Sequence, residues 1–115
     1  MNSDCAPLPT IDVARYRSAD PDLLVEHHRT MAAALAKAAP GFVSAQLARL
    51  EDGTWLDLVT WESRAAAEAG IAAEPSIPEF VEFVQHVGDI VWSATAEVVS
   101  ARVAELTGHR ETCDD

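Results

Sequence analysis

The chain has 115 residues, with nineteen Asp and Glu against eight Lys and Arg and a formal net charge of −11. That length builds one core and not two. So acidic a surface is unsuited to nucleic acid, whose phosphates need a basic face. No apolar run is long enough to span a membrane. The opening MNSDCAPLPT lacks the positive start and apolar block of a secretory signal, so cytoplasmic residence is the expectation.

Residues 1–9 hold two prolines and read as a loose arm. Ile11 to Arg17 reads as a first strand, with Ile11, Val13 and Arg15 on one parity and Tyr16 on the other. Asp20-Pro21 predicts an N-cap followed by proline at the first helical position, where the missing N–H costs nothing. The helix should run to about Ala39. Its buried stripe is Leu24, His28, Met31, Leu35 and Ala38, at steps of four and three. Pro40-Gly41 stops it. Phe42 to Leu50 predicts a second strand, joined through Glu51-Asp52-Gly53 to a third, Trp55 to Trp61; Asp-Gly between two β-rich runs is a strong hairpin signal.

Ser63 can cap a second helix, Arg64 to Ala73, which Glu74-Pro75 interrupts. Ser76 and Glu79 have capping-box spacing for a further piece, with Phe80, Phe83, Val84 and Val87 as its apolar stripe. Gly88 ends it, and Asp89 to Val99 reads as a fourth strand. Residues 100–107 are ambiguous between strand extension and a short helix, and 108–115 read as a tail. The domain is therefore 10–107. Strand, helix, strand, strand, helix, strand, with right-handed crossovers, is an α+β, ferredoxin-like order: a four-stranded antiparallel sheet with its helices on one face.

The third strand carries more information than its neighbours. Trp55, Asp57, Val59 and Trp61 share one parity, and Leu56 and Leu58 the other, so apolar side chains stand on both faces. A sheet covered on one side only should alternate apolar and polar. The expectation is a second subunit on the open face, since exposing Leu56, Leu58 and their neighbours would leave an unusually large apolar patch. Asp57 then sits in an apolar compartment, which penalises a carboxylate anion and suits a base that works near neutrality. Cys5 and Cys113, near the two ends, are either free thiols of a reduced protein or a bridge formed under oxidising conditions. With no nearby His pair, neither marks a metal site.

Pro40-Gly41-Phe42, the Asp52-Gly53 turn and Trp61-Glu62-Ser63, in this order and spacing, resemble the antibiotic biosynthesis monooxygenase family over roughly residues 10–99. The resemblance implies a dimeric α+β barrel, with a ligand cavity between each sheet and its own helices. It further implies oxidation of an aromatic polyketide-type phenol or anthrone to a quinone, with no cofactor and no metal. Of the residues used by such oxygenases, the cavity tryptophan falls at Trp61; the asparagine four positions earlier is Asp57, the tyrosine falls at Ala67, and the arginine near Val81. Haem degradation, another activity of the family, lacks its residues here: the first strand has no Asn and the second helix no Trp.

The candidate catalytic residues are Asp57, His28 and Trp61. Trp55, Val59, Arg15, Met31, Phe80 and Phe83 are candidates for binding a small aromatic ligand, Arg15 only if its parity faces inward. Plainer roles stand beside these. His28 can be a core residue, Asp57 can pair with Arg15 or Arg17, Trp61 can be core, and His27, Arg29, His86 and His109 can be solvated. Two other functions compete: a non-catalytic aromatic-ligand-binding or accessory dimer, which Ala67 and Val81 favour, and a polyketide cyclase or isomerase using the same cavity.

Overall fold

The computed structural model describes residues 8–102. Cys5, Cys113, His109 and most of 100–107 lie outside them, as do most of the predicted arm and the whole tail. The elements are β1 (Thr10–Tyr16), α1 (Pro21–Ala38), β2 (Phe42–Arg49), β3 (Trp55–Trp61), α2 (Arg64–Ala73), a 3₁₀ turn (Glu74–Ser76), α3 (Pro78–Val84) and β4 (Ile90–Glu97). The sheet order is β2-β3-β1-β4 with every pairing antiparallel. This is the predicted α+β, ferredoxin-like arrangement. Among the described residues no helix is long and apolar enough to cross a membrane.

Parity decides what each strand contributes. Trp55, Asp57, Val59 and Trp61 of β3 stand opposite Tyr16, Ala14, Asp12 and Thr10 of β1, so these eight share the helix-facing side. Ile11, Val13 and Arg15 therefore share the open face with Leu56 and Leu58. On the covered side Trp61, Leu24, Met31 and Leu35 are fully buried, joined by Tyr16, Trp55, Ala67, Ile77 and Phe83. Trp61 is the hub. Its ring meets Phe42 edge-on at 5.9 Å, and Gly70 of α2 lies so close that a Cβ there would overlap the indole. Glycine at that position lets helix and ring approach to contact.

The Asp52-Gly53 turn forms as predicted. Gly53 takes φ +87°, a left-handed conformation that costs glycine nothing, and donates to Leu50 O at 3.0 Å. Thr54 donates to Asp52 through both its amide (3.0 Å) and its hydroxyl (2.6 Å). Those bonds, aided by Arg15, hold the exposed Asp52 carboxyl down to about 2. Ser63 caps α2 by accepting from Ala66 N at 3.1 Å.

Several local expectations are corrected. Asp20 makes no side-chain cap; the helix begins at Pro21, whose absent N–H leaves one fewer donor to satisfy. Ser76 does not cap α3: Ile77 holds that position with Pro78 behind it, and Ser76 is spent in the 3₁₀ turn. Ala38 is exposed and Ala39 buried, because the helix ends there and the chain turns toward β2. His86 is not solvated. Its ring stacks on His27 with centroids 4.7 Å apart, and its side chain is 16 % exposed.

Candidate functional site

Between the sheet and α2, the 3₁₀ turn and α3 lies a cavity of about 370 Å³. Small-molecule sites usually run from about 300 to 1,000 Å³. Its apolar border includes Met31, Val59, Phe80, Phe83, Val84 and Val87. The polar border comes from β1, β3, β4 and the 3₁₀ turn: Asp12, Tyr16, Asp57, Glu74, Ser93 and Thr95.

Asp57 is the centre of a buried group. It is 8 % exposed, and Tyr16, 2 % exposed, donates its phenol proton to Asp57 Oδ2 at 2.7 Å. Burial, then the negative charge of Asp57 and this hydrogen bond, push the phenol well above its usual value. Tyr16 therefore keeps its proton at neutral pH and acts as a donor, not a base. His28 Nε2 stands 3.8 Å from Asp57 Oδ1, and neither atom has a hydrogen-bond partner among the described residues. A displacement of under an ångström would close that gap into a bond. Phe83 holds the imidazole edge-on at 5.5 Å.

The other two acids are set differently. Asp12 accepts from Trp61 Nε1 and from the Thr95 hydroxyl, each at 3.0 Å. Glu74, on the 3₁₀ turn, is raised to about 7, first by burial and then by the negative charges of Asp12 and Asp57. Near neutrality it exists in both protonation states, which suits a group that gives or takes a proton.

The sequence-predicted residues divide into three sets. Asp57, Met31, Val59, Phe80 and Phe83 border the cavity. His28 stands behind Asp57, while Trp55 and Trp61 are packed within the core and are not on the cavity border. Trp55 carries the Arg49 guanidinium on its ring at 4.4 Å. Arg15 is a correction: its side chain lies on the opposite face of the sheet, where it binds Asp52 and donates to Thr54 Oγ1 at 3.0 Å. Asp57 consequently pairs with neither Arg15 nor Arg17; its partner is Tyr16. Ala67 is buried, and Val81 is 45 % exposed on the outside of α3.

The sequence pattern alone does not single out Tyr16, Asp12 or Glu74. The parity of β1 held the signal for the first two. Thr10, Asp12, Ala14 and Tyr16 alternate with Ile11, Val13 and Arg15, and it is the more polar set that faces the helices.

Together these features define an open-faced ferredoxin-like domain with a ligand-sized cavity beneath its sheet. Solved structures of that class are similar to it. A monooxygenase from the gene ActVA-Orf6 of Streptomyces coelicolor, in complex with the ligand nanaomycin D, matches with a TM-score of 0.64 at 20 % identity, over 85 % of this chain and 94 % of that one. SnoaB, a cofactor-independent oxygenase from Streptomyces nogalater, matches with a TM-score of 0.60 at 19 % identity, over 84 % and 96 %. A dimeric ferredoxin-like protein from an uncultured marine organism gives 0.62 at 10 % identity, over 85 % and 94 %. No protein-family model and no curated protein matches the chain. The chain thus shares its fold with these solved structures.

Proposed function

We propose that the protein is a small homodimeric oxygenase that oxidises an aromatic polyketide-type phenol or anthrone to a quinone without a cofactor. The observation that carries this reading is the Tyr16–Asp57 pair, buried at the border of an apolar cavity of ligand size. The resemblance in fold to a cofactor-independent oxygenase supports it.

The chemistry needs no metal or flavin because the substrate supplies the electrons. Asp57 removes a proton from the anthrone methylene, leaving a carbanion. That anion gives one electron to dioxygen, and the resulting radical pair joins through a new C–O bond. The peroxide takes a proton back from Asp57. Loss of the second methylene proton then breaks the O–O bond and releases water, so anthrone and dioxygen yield quinone and water. Tyr16 stays protonated throughout and holds Asp57 in place. Phe80, Phe83 and Met31 supply flat apolar walls.

Oxygen uptake with anthrone, matched by quinone formation, is the test. Full turnover of a polyketide substrate without oxygen would favour a cyclase or isomerase, and tight binding without conversion an accessory ligand-binding dimer.

The dimer would form through the open sheet face, where Ile11, Val13, Leu56, Leu58 and the half-exposed Trp92 make an apolar surface. Burying such side chains contributes about 1.5–3 kcal/mol each. Sedimentation should give a dimer at micromolar concentration and a folded monomer for Leu58→Glu, whose side chain points away from the core. A wild-type monomer would remove the dimer from the proposal.

A further inference from the structure

His28 is the buried titratable side chain that the proposed chemistry leaves without a part. It stands on the core stripe of α1, its side chain 8 % exposed and that of Asp57 11 % exposed. Its Nε2 faces Asp57 Oδ1 at 3.8 Å, and both atoms are buried with no hydrogen-bond partner among the described residues. The Tyr16 hydroxyl is already given to Oδ2. Two complementary atoms, each costly to leave unpaired in a core, therefore stand face to face and just out of reach.

A base needs that second bond. Held at Oδ2 alone, the carboxylate plane can turn about Cβ–Cγ, a torsion with a broad well. A donor at Oδ1 fixes the plane. A carboxylate has about four lone-pair sites, so two bonds still leave room for a proton from a substrate in the cavity that Asp57 borders. Phe83 couples the cavity to the pair. It lines the void and meets the imidazole edge-on at 5.5 Å, so a ligand that presses on Phe83 presses on His28.

We infer that His28 is the positioning residue of this base: with ligand in the cavity, its Nε2–H donates to Asp57 Oδ1 while Tyr16 donates to Oδ2. The inference deepens the function proposed above and rests on it for the role of Asp57. His28 does not border the cavity, so it touches no substrate and keeps its own proton throughout. The abstracted proton goes to Asp57 and returns from it to the peroxide. What His28 adds is a carboxylate fixed in one orientation toward the reacting C–H bond.

Nitrogen-15 NMR of protein labelled at histidine reads the bond itself, with His28→Gln giving the assignment by difference. Adding 1,8-dihydroxyanthraquinone, a flat molecule already at the quinone level, should bring out a slowly exchanging, downfield proton on His28 Nε2. Asp57→Asn should abolish that proton. With the asparagine carbonyl taken by Tyr16, its NH₂ faces His28 and offers no acceptor. Oxygen uptake with anthrone reads the consequence. His28→Leu should lower kcat roughly tenfold to a hundredfold, the worth of one charge-assisted hydrogen bond, with KM within about twofold of wild type. His28→Gln, whose amide nitrogen can stand in for Nε2, should recover most of the loss.

A His28 Nε2 that carries no proton in the complex overturns the inference, as does a proton signal that survives Asp57→Asn. So does a His28→Leu enzyme with unchanged kcat, or one whose loss lies in KM, which would make His28 a prop for Phe83 and the cavity wall. A glutamine variant no better than leucine also overturns it. If His28→Leu does not fold, the NMR comparison of wild type with Asp57→Asn decides alone. A quinone that moves no histidine signal overturns the inference together with the aromatic cavity. The Nε2 proton without any oxygen uptake sustains the His28–Asp57 bond while removing the oxygenase reading. Oxygen uptake without that proton does the reverse.

Discussion

Asp57→Asn should lower kcat/KM for anthrone-dependent oxygen uptake by about 10²–10⁴-fold, the range that a positioned general base contributes. Asparagine matches the size of the carboxylate, and its carbonyl can still accept from the Tyr16 phenol. Packing is thus kept and the ability to take a proton is lost. Thermal denaturation should show the variant folded, which separates lost chemistry from lost structure. Tyr16→Phe should give a smaller loss, since it leaves the base but frees it to turn toward His28. Unchanged turnover in Asp57→Asn would remove this residue as the base and would point to Glu74, a cavity acid raised to about 7.

Trp61→Ala should be the most damaging single truncation for stability. The indole is fully buried, packs on Phe42 and Gly70, and donates to Asp12. Removing a buried tryptophan costs about 3–5 kcal/mol from lost transfer energy and the void left behind. For a domain of this size that lowers Tm by roughly 12 °C or more. Trp61→Phe should cost less, because it keeps most of the packing and loses chiefly the N–H donor to Asp12. If both variants melted at the wild-type temperature, the tryptophan would be no hub. A selective loss of activity at unchanged Tm would instead return it to the role that the family resemblance implies.

The elements were legible because their signals are local. Asp52-Gly53 can hardly be anything but a tight turn, Ser63 caps, and the stripe from Leu24 to Leu35 repeats at helical steps. The site was legible only in part. Asp57 betrayed itself as one acid in an otherwise apolar alternation. On β1 the usual inference, that the apolar parity faces the helices, runs backwards. Ile11 and Val13 look outward and Asp12 and Tyr16 look into the cavity. A sheet with apolar residues on both sides removes the cue by which inside is told from outside. Arg15 was misplaced for that reason. Glu74 was hidden differently, because Glu-Pro-Ser reads as punctuation between helices, and nothing in the pattern shows that the break folds against a void.

The contact between Gly70 and Trp61 also constrains how this scaffold can change. Any larger side chain at Gly70 would drive α2 off the indole, so that position tolerates almost no variation. The 3₁₀ turn at Glu74–Ser76 has no residue buried in the core. New ligand preferences could therefore be acquired there one substitution at a time while the interior stays intact. The molecule pairs a rigid chassis with a replaceable fitting, and the fitting carries an acid raised to about 7.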